Sequence, residues 1–318
     1  MTGTENLSRD AFRLVVWYPV RWLVKVLPIR MGLSALRAMG MFQHRLSSGK
    51  KGHIAENMRA QLPQMTHADI DAAIREHFKN HFVNQLQLFF FSKLTTRNAE
   101  KIHTFEGLEN LEAAKAEGKG CILIHPHFGP TQLPLQILGL LGEEPMQIGF
   151  LNDEGLSFVG RHVAFRLRAK LEAQIKGEIV QAGTYLKPLF KHLKNNGVLL
   201  TAGDGVGGGK MFIGRYTALP FLEGDYLFPL GGASLAGKTG AALLPMFTVL
   251  DGGRYKTIVE APVHVENTPE GIEAAVAHFR DRFDQRLKEQ PGLWHLWDEV
   301  EHKMVSEENG ELVGVGSA

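Results

Sequence analysis

The sequence is short of several things that would commit it to a class. It holds one cysteine, Cys121, so no disulfide framework is available and the fold must rest on its apolar core. A single thiol is in keeping with a chain on the cytosolic side of a membrane. No stretch reaches about 18 uninterrupted apolar residues, the length a helix needs to span a bilayer. The opening residues lack the basic-then-apolar pattern of a secretion signal, and none is expected. Charge is nearly balanced, 35 Lys+Arg against 34 Asp+Glu, so no global field points to nucleic acid. No internal repeat or low-complexity tract stands out. One shortage is local. Residues 11–55 contain no Asp or Glu, while Arg13, Arg21, Lys25, Arg30, Arg37, Arg45, Lys50 and Lys51 all fall there.

What is present is enough for a full core: 318 residues, 44% hydrophobic. In residues 11–27, Arg13, Trp17, Arg21 and Lys25 recur every four positions, which puts them along one side of a helix. Most of the remaining circumference is Val, Leu, Phe, Trp and Tyr. Such a helix suits the headgroup boundary of an anionic membrane surface. The bland reading is an amphipathic helix on the protein's own core. Pro19 should kink or split it. A second helix of similar bias is expected over 31–42. Residues 1–50 are therefore expected to form a basic, helical, membrane-associating segment.

Helices are expected over 53–62 and 67–91, parted by Pro63, with Thr66 as N-cap of the second and Phe89, Phe90 and Phe91 in the core. From residue 105 strands and helices alternate. Strands are expected over 121–124, 146–151, 178–180, 197–202, 241–249 and 255–261. Helices are expected over 108–117, 131–141, 160–175, 186–195, 230–239 and 269–289. A short hairpin is expected between 211–213 and 217–219. This is an α/β pattern: a mostly parallel central sheet flanked by helices, over 51–305, followed by a flexible tail, 306–318.

The chemistry-bearing stretch is 121–132. An apolar run that reads as a buried strand ends in His125-Pro126-His127, followed by Phe128-Gly129-Pro130 and a helix. Open α/β sheets place their sites at the carboxyl ends of strands. A neutral imidazole there can take a proton from an attacking hydroxyl, given a partner on its other nitrogen. Gln132, five residues past His127, can accept from the ring but carries no charge. A metal reading of His125 and His127 lacks a nearby carboxylate or cysteine ligand, and no metal is expected. Gly203-Asp204-Gly205-Val206-Gly207-Gly208-Gly209-Lys210 departs from the phosphate-loop pattern at Asp204 and Met211. It is still a loop able to approach an oxyanion or phosphate closely, and Asp204 is a candidate second carboxylate. Gly232-Ala233-Ser234-Leu235-Ala236 nearly matches a nucleophile elbow, but Ser234 falls where a helix is expected.

Taken in order, several short blocks resemble the lipid A biosynthesis (lauroyl/myristoyl) acyltransferases of the lysophospholipid acyltransferase superfamily. These are Asn57 to Pro63, His127-Phe128-Gly129-Pro130-Thr131-Gln132, the segment 191–209, Phe212-Ile213-Gly214-Arg215, residues 233–241 with Leu244-Pro245, and Pro291 to Trp297. The resemblance implies a membrane-surface acyltransferase that needs no cofactor. Its donor would be a thioester on acyl carrier protein or coenzyme A, and its acceptor a lipid or glycolipid hydroxyl, at the cytoplasmic face of a bacterial inner membrane. It makes His127 the general base and residue 132 its orienting group. Asp204 and Arg168 fall near positions the family uses, Arg215 matches the turn arginine that would meet acceptor phosphate, and Gly207 and Gly208 belong to the glycine loop. Gln132 stands where the family carries Glu or Asp. Either the site works with a neutral partner, or Asp204 or another carboxylate replaces it, or the chain is a lipid-binding relative or a thioesterase on the same site.

Overall fold

A computed structural model describes residues 7–149, 153, 155–181, 186–205, 215–308 and 311–314. Its centre is the apolar run singled out above, now strand Cys121–His125, buried at every position. Strict alternation divides it. Ile122 and Ile124 face one core layer with Phe247, Phe279 and Phe283, while Cys121 and Leu123 face another with Val83, Leu133 and Leu138. A strand covered on both faces reads as a continuous apolar run, which is why no polar alternation marks it.

In chain order the strands are β1 (His103–Glu106), β2 (Cys121–His125), β3 (Met146–Gly149), β4 (Glu178–Gln181), β5 (Val198–Ala202), β6 (Tyr216–Phe221), β7 (Gly224–Pro229), β8 (Ala242–Asp251) and β9 (Arg254–Val259). Seven form one sheet in the order β1-β9-β8-β2-β5-β3-β4. Every neighbouring pair is parallel except β8 with β9. The mostly parallel, helix-covered sheet expected from the alternation is therefore present. β2 and β5 are adjacent although far apart in sequence, and their register sets His125 opposite Ala202. The two chains thus leave the sheet side by side, each two residues short of a chemistry-bearing side chain.

Several details differ from the sequence reading. β1 is too short to announce itself. The hairpin pairs β6 with β7, and its turn holds Leu222 at φ 59, a left-handed position where glycine or asparagine is the usual signal. The expected partner, 211–213, lies outside the described residues. In the region read as a flexible tail, Val305–Glu308 pairs antiparallel with Glu311–Gly314. Thr66 caps helix His67–Leu86 in a capping box with Asp69. Phe89, Phe90 and Phe91 are core.

The N-terminal helix runs Leu7–Val15, widens to a π-turn over Val16–Val20, and continues as Arg21–Val26. The π-turn contains Pro19, whose missing N–H breaks the regular ladder, so the helix neither stops nor splits there. Half of the supposed basic stripe faces the protein. Arg13 bonds Asp10 at 3.2 Å and Ser157 at 2.9 Å, and Trp17 packs edge-on against Phe89 at 5.2 Å. The outer surface is apolar instead, with Phe12, Leu14, Val15, Tyr18, Trp22, Leu23 and Val26 exposed. Among the described residues no helix is long and apolar enough to cross a membrane.

Buried neutral histidines fasten the C-terminal segment to this frame. His77 donates its Nδ1–H to the Trp294 carbonyl at 2.9 Å, and His295 donates Nε2–H to the Gly129 carbonyl at 2.7 Å. Burial pulls both below the ordinary 6.5, His77 to about 4 and His295 to about 3, and likewise takes His125 to about 4. Between those values and pH 6.5 the unfolded chain binds protons that the folded chain does not. Stability should therefore be full above about pH 6.5 and fall as pH drops towards 4, by roughly 1.4 kcal/mol per pH unit for each such histidine. Urea midpoints across that window test this, and His295→Gln should lower the slope by one histidine's share. A flat profile would contradict neutral burial.

Candidate active site

The turn after β2 is built by what its residues cannot do. Pro126 has no N–H to continue the ladder, and Phe128 donates back to the Pro126 carbonyl at 2.8 Å, closing a tight turn. Gly129 sits at φ 64, and a Cβ there would lie 2.6 Å from the Thr248 carbonyl oxygen. Only glycine lets the turn lie that close to β8. Thr131 then donates its N–H and hydroxyl to Asn84 Oδ1 at 3.0 and 3.1 Å, and Pro134 opens helix Leu133–Leu140.

The chain leaving β5 is held in step. The Gly203 N–H bonds the His125 carbonyl at 2.8 Å, extending the β2–β5 ladder by one rung. A Cβ at Gly203 would meet Ile124 and Phe279 at 2.6–2.7 Å, so glycine is required for the approach. The next residue, Asp204, is completely buried. Its Oδ1 accepts from His127 Nδ1 at 2.8 Å. Its Oδ2 accepts from the His127 backbone N–H at 2.8 Å and from Trp294 Nε1–H at 2.9 Å. The Tyr226 hydroxyl donates to the Asp204 carbonyl at 2.8 Å, and burial pushes that phenol well above its ordinary pKa, so it stays a donor.

A carboxylate against Nδ1 fixes the neutral ring as the Nδ1–H tautomer and leaves the Nε2 lone pair available. The same carboxylate would stabilise an imidazolium. His127 is the exposed member of the pair, its side chain 28% accessible against 0% for Asp204. It opens into a cavity of about 550 Å³. Apolar residues of several elements line that cavity, among them Ile148, Ile179, Leu186, Leu189, Phe190, Leu230 and Leu235. A pocket of this make-up suits an apolar chain ending at a polar reacting group.

The sequence candidates are distributed as follows. His127 and Asp204 are brought together. His125 is buried, its Nδ1 on the Pro126 carbonyl at 3.0 Å, and supports the turn. Gln132 is not the ring's partner. It lines the cavity as the N-cap of helix Leu133–Leu140, and its Nε2 donates to Glu172 Oε1 at 3.2 Å. The physical reason is that Nδ1 is already taken by Asp204. Arg168 also meets Glu172 Oε1, at 2.8 Å, and Gln85 at 3.2 Å. Arg215 and Lys238 line the cavity too. Ser234 lies inside helix Gly231–Thr239, not on a strand-to-helix turn, so the elbow geometry is absent. Gly207 and Gly208 lie outside the described residues. Tyr226, Glu172 and Asn84 escaped the sequence reading, and Trp294 entered it only within the block Pro291 to Trp297, with no role at the site. Their partners at the site lie 22 to 90 residues away along the chain, and no local pattern marks Tyr226, Glu172 or Asn84.

The model of the bacterial lipid A biosynthesis acyltransferase family matches residues 9–298. The chain belongs to that family. No curated protein matches it. The protein is accordingly an acyltransferase of the class that acts on lipid A-like acceptors.

The carboxylate can be tested in the acyltransferase directly. Asp204→Asn keeps the shape but presents an amide where a charge was, and turnover should fall on the order of 10³- to 10⁴-fold with a folded protein. Trp294→Phe removes one donor from Oδ2 and should cost roughly tenfold. Steady-state rates beside circular dichroism check both. An Asp204→Asn enzyme with near wild-type turnover would contradict this arrangement.

Proposed function

We propose that this acyltransferase moves a fatty acyl group from a thioester on acyl carrier protein or coenzyme A to a hydroxyl of a lipid or glycolipid, with His127 as general base. The observation that carries the proposal is the His127–Asp204 pair, with His127 in the lining of a largely apolar cavity and its Nδ1, not its Nε2, on the carboxylate. The acceptor hydroxyl gives its proton to Nε2 as its oxygen attacks the thioester carbonyl. The tetrahedral intermediate collapses with cleavage of the C–S bond. The thiolate then takes the proton back from the imidazolium, which Asp204 has stabilised meanwhile. No acyl-enzyme is formed, and the two substrates supply all the chemistry, so no cofactor enters. Arg215 and Lys238, which line the cavity, would meet phosphate on the donor or acceptor.

A non-catalytic relative was suggested by the missing carboxylate at position 132. Asp204 removes the ground for that reading, because the ring has a carboxylate after all. A thioesterase on the same site would differ only in admitting water as acceptor, and the product distinguishes the two.

The same proposal places the protein at the cytoplasmic face of the bacterial inner membrane. Its support is the row of exposed apolar side chains from Phe12 to Val26, with Met31 and Phe158 also exposed. A contiguous exposed apolar surface with Trp and Tyr among the aliphatics suits insertion to headgroup depth. Lys25 and Arg30 are exposed on the same stretch and would meet anionic lipid.

Two measurements test this. His127→Ala should reduce acyl transfer from acyl-CoA and acyl carrier donors to the uncatalysed level, and equal rates for both proteins would remove the base assignment. Substituting Trp22, Leu23 and Val26 together by Ser should lower flotation with vesicles of phosphatidylglycerol and phosphatidylethanolamine several-fold. Undiminished flotation would place the membrane contact elsewhere.

A further inference from the structure

One buried carboxylate in the cavity has no part in holding His127. Glu172 ends helix Arg166–Glu172, is 6% exposed, and lines the same cavity as the histidine. Its Oε1 is engaged twice, by Gln132 Nε2 at 3.2 Å and by Arg168 Nε at 2.8 Å. Its Oε2 is buried with no hydrogen-bond partner. Arg168 is itself fixed by Gln85 and supplies the countercharge. Leaving a charged oxygen buried and unmet is costly, so such an atom on a residue of the cavity wall calls for a ligand.

We infer that Glu172 is a specificity-determining residue for the acyl acceptor: its Oε2 accepts a hydrogen bond from a hydroxyl neighbouring the one that is acylated, and Gln132 and Arg168 position it. This rests on the transferase reading of the cavity. An ionised carboxylate only accepts, so it selects a group that donates and disfavours phosphate, thioester and carbonyl oxygens. The hydroxyls of a polyol or sugar head fit, and so do the amide N–H groups of a pantetheine arm. Position favours the first. Gln132 follows directly on the turn that carries His127, and the attacking hydroxyl must sit beside that turn. Arg168 is taken up by Glu172 and Gln85, and a further cation suited to a donor's phosphates comes from elsewhere. Lys238 belongs to helix Gly231–Thr239, which packs on the opposite core layer from Leu133 and Leu171. Gln132 then presents N–H groups to Glu172, and a carboxylate at 132 would repel it.

The test uses the full chain with dodecanoyl-CoA as donor and two acceptors, dodecyl maltoside with many hydroxyls and 1-dodecanol with one. Calorimetric binding of dodecyl maltoside below its micelle concentration serves as a readout independent of turnover. Glu172→Gln keeps the shape and should weaken maltoside binding and raise its KM roughly 10- to 100-fold. It should leave the KM for dodecanoyl-CoA little changed and abolish the preference over dodecanol. Gln132→Glu should have a similar effect, and the exchanged pair Gln132→Glu with Glu172→Gln should recover much of it. Unchanged acceptor preference and affinity in Glu172→Gln would overturn the inference, as would a rise in donor KM alone. If maltoside binds and depends on Glu172 while no acceptor yields product, the inference stands and the transferase reading falls. If product forms without regard to Glu172, the reverse holds.

Discussion

Everything at this site depends on one buried carboxylate. Asp204 is sealed from solvent, and a charge so placed is tolerable only if its oxygens are met. Among the groups that meet them are three donors from two parts of the chain: the His127 ring, the His127 backbone N–H and the Trp294 indole. The contact therefore does structural and chemical work together. It clasps the ends of β2 and β5, draws the C-terminal segment over the turn, and sets the tautomer of the histidine. The clasp is reinforced by the His295 backbone N–H on the His127 carbonyl at 2.9 Å and the Gly129 N–H on the Leu293 carbonyl at 2.9 Å. Trp294 and Trp297 pack edge-to-face at 4.9 Å beneath it. Removing the carboxylate would leave three donors facing a hole in the core.

That arrangement separates two tasks that a short histidine motif would run together. Orientation of the ring is assigned to Asp204, 77 residues on, through the parallel pairing of β2 with β5. The position nearer in sequence, Gln132, is released to the cavity wall, where it meets Glu172. A neutral amide there leaves the ring its carboxylate, because that partner is Asp204. The N-terminal helix follows a similar logic. Arg13 and Trp17 anchor it to the body, Arg13 through Ser157, which also accepts the Gly160 N–H, and this leaves a chiefly apolar outer surface.

Much of this was legible in the sequence because it rested on local pattern. The central strand, the helix after it, the long helix Pro269–Glu289 and the Thr66 cap each carry a short-range signal. The mostly parallel sheet followed from alternation alone. What was not legible is non-local or runs against local preference. β7 hid behind a turn with leucine in the left-handed position. The stripe of Arg13, Trp17, Arg21 and Lys25 has helical period, but period does not say which side faces the body. Gln132 was the natural partner for His127 by spacing. Only strand order and register show that Asp204 reaches the ring first. Trp294 and Glu172 come in by tertiary packing; the block Pro291 to Trp297 stands out in the sequence, but not that its Trp294 meets Asp204.

The central claim is that Asp204 fixes the His127 ring with Nδ1 protonated and Nε2 open to the substrate. Nitrogen-15 NMR of histidine-labelled protein reads this directly, with the His127 signals assigned by their loss in His127→Gln. At a pH where the ring is neutral, the account predicts a protonated Nδ1 with a downfield, hydrogen-bonded proton, an unprotonated Nε2, and loss of that pattern in Asp204→Asn. A neutral His127 carrying its proton on Nε2, or a pattern indifferent to Asp204→Asn, would contradict it.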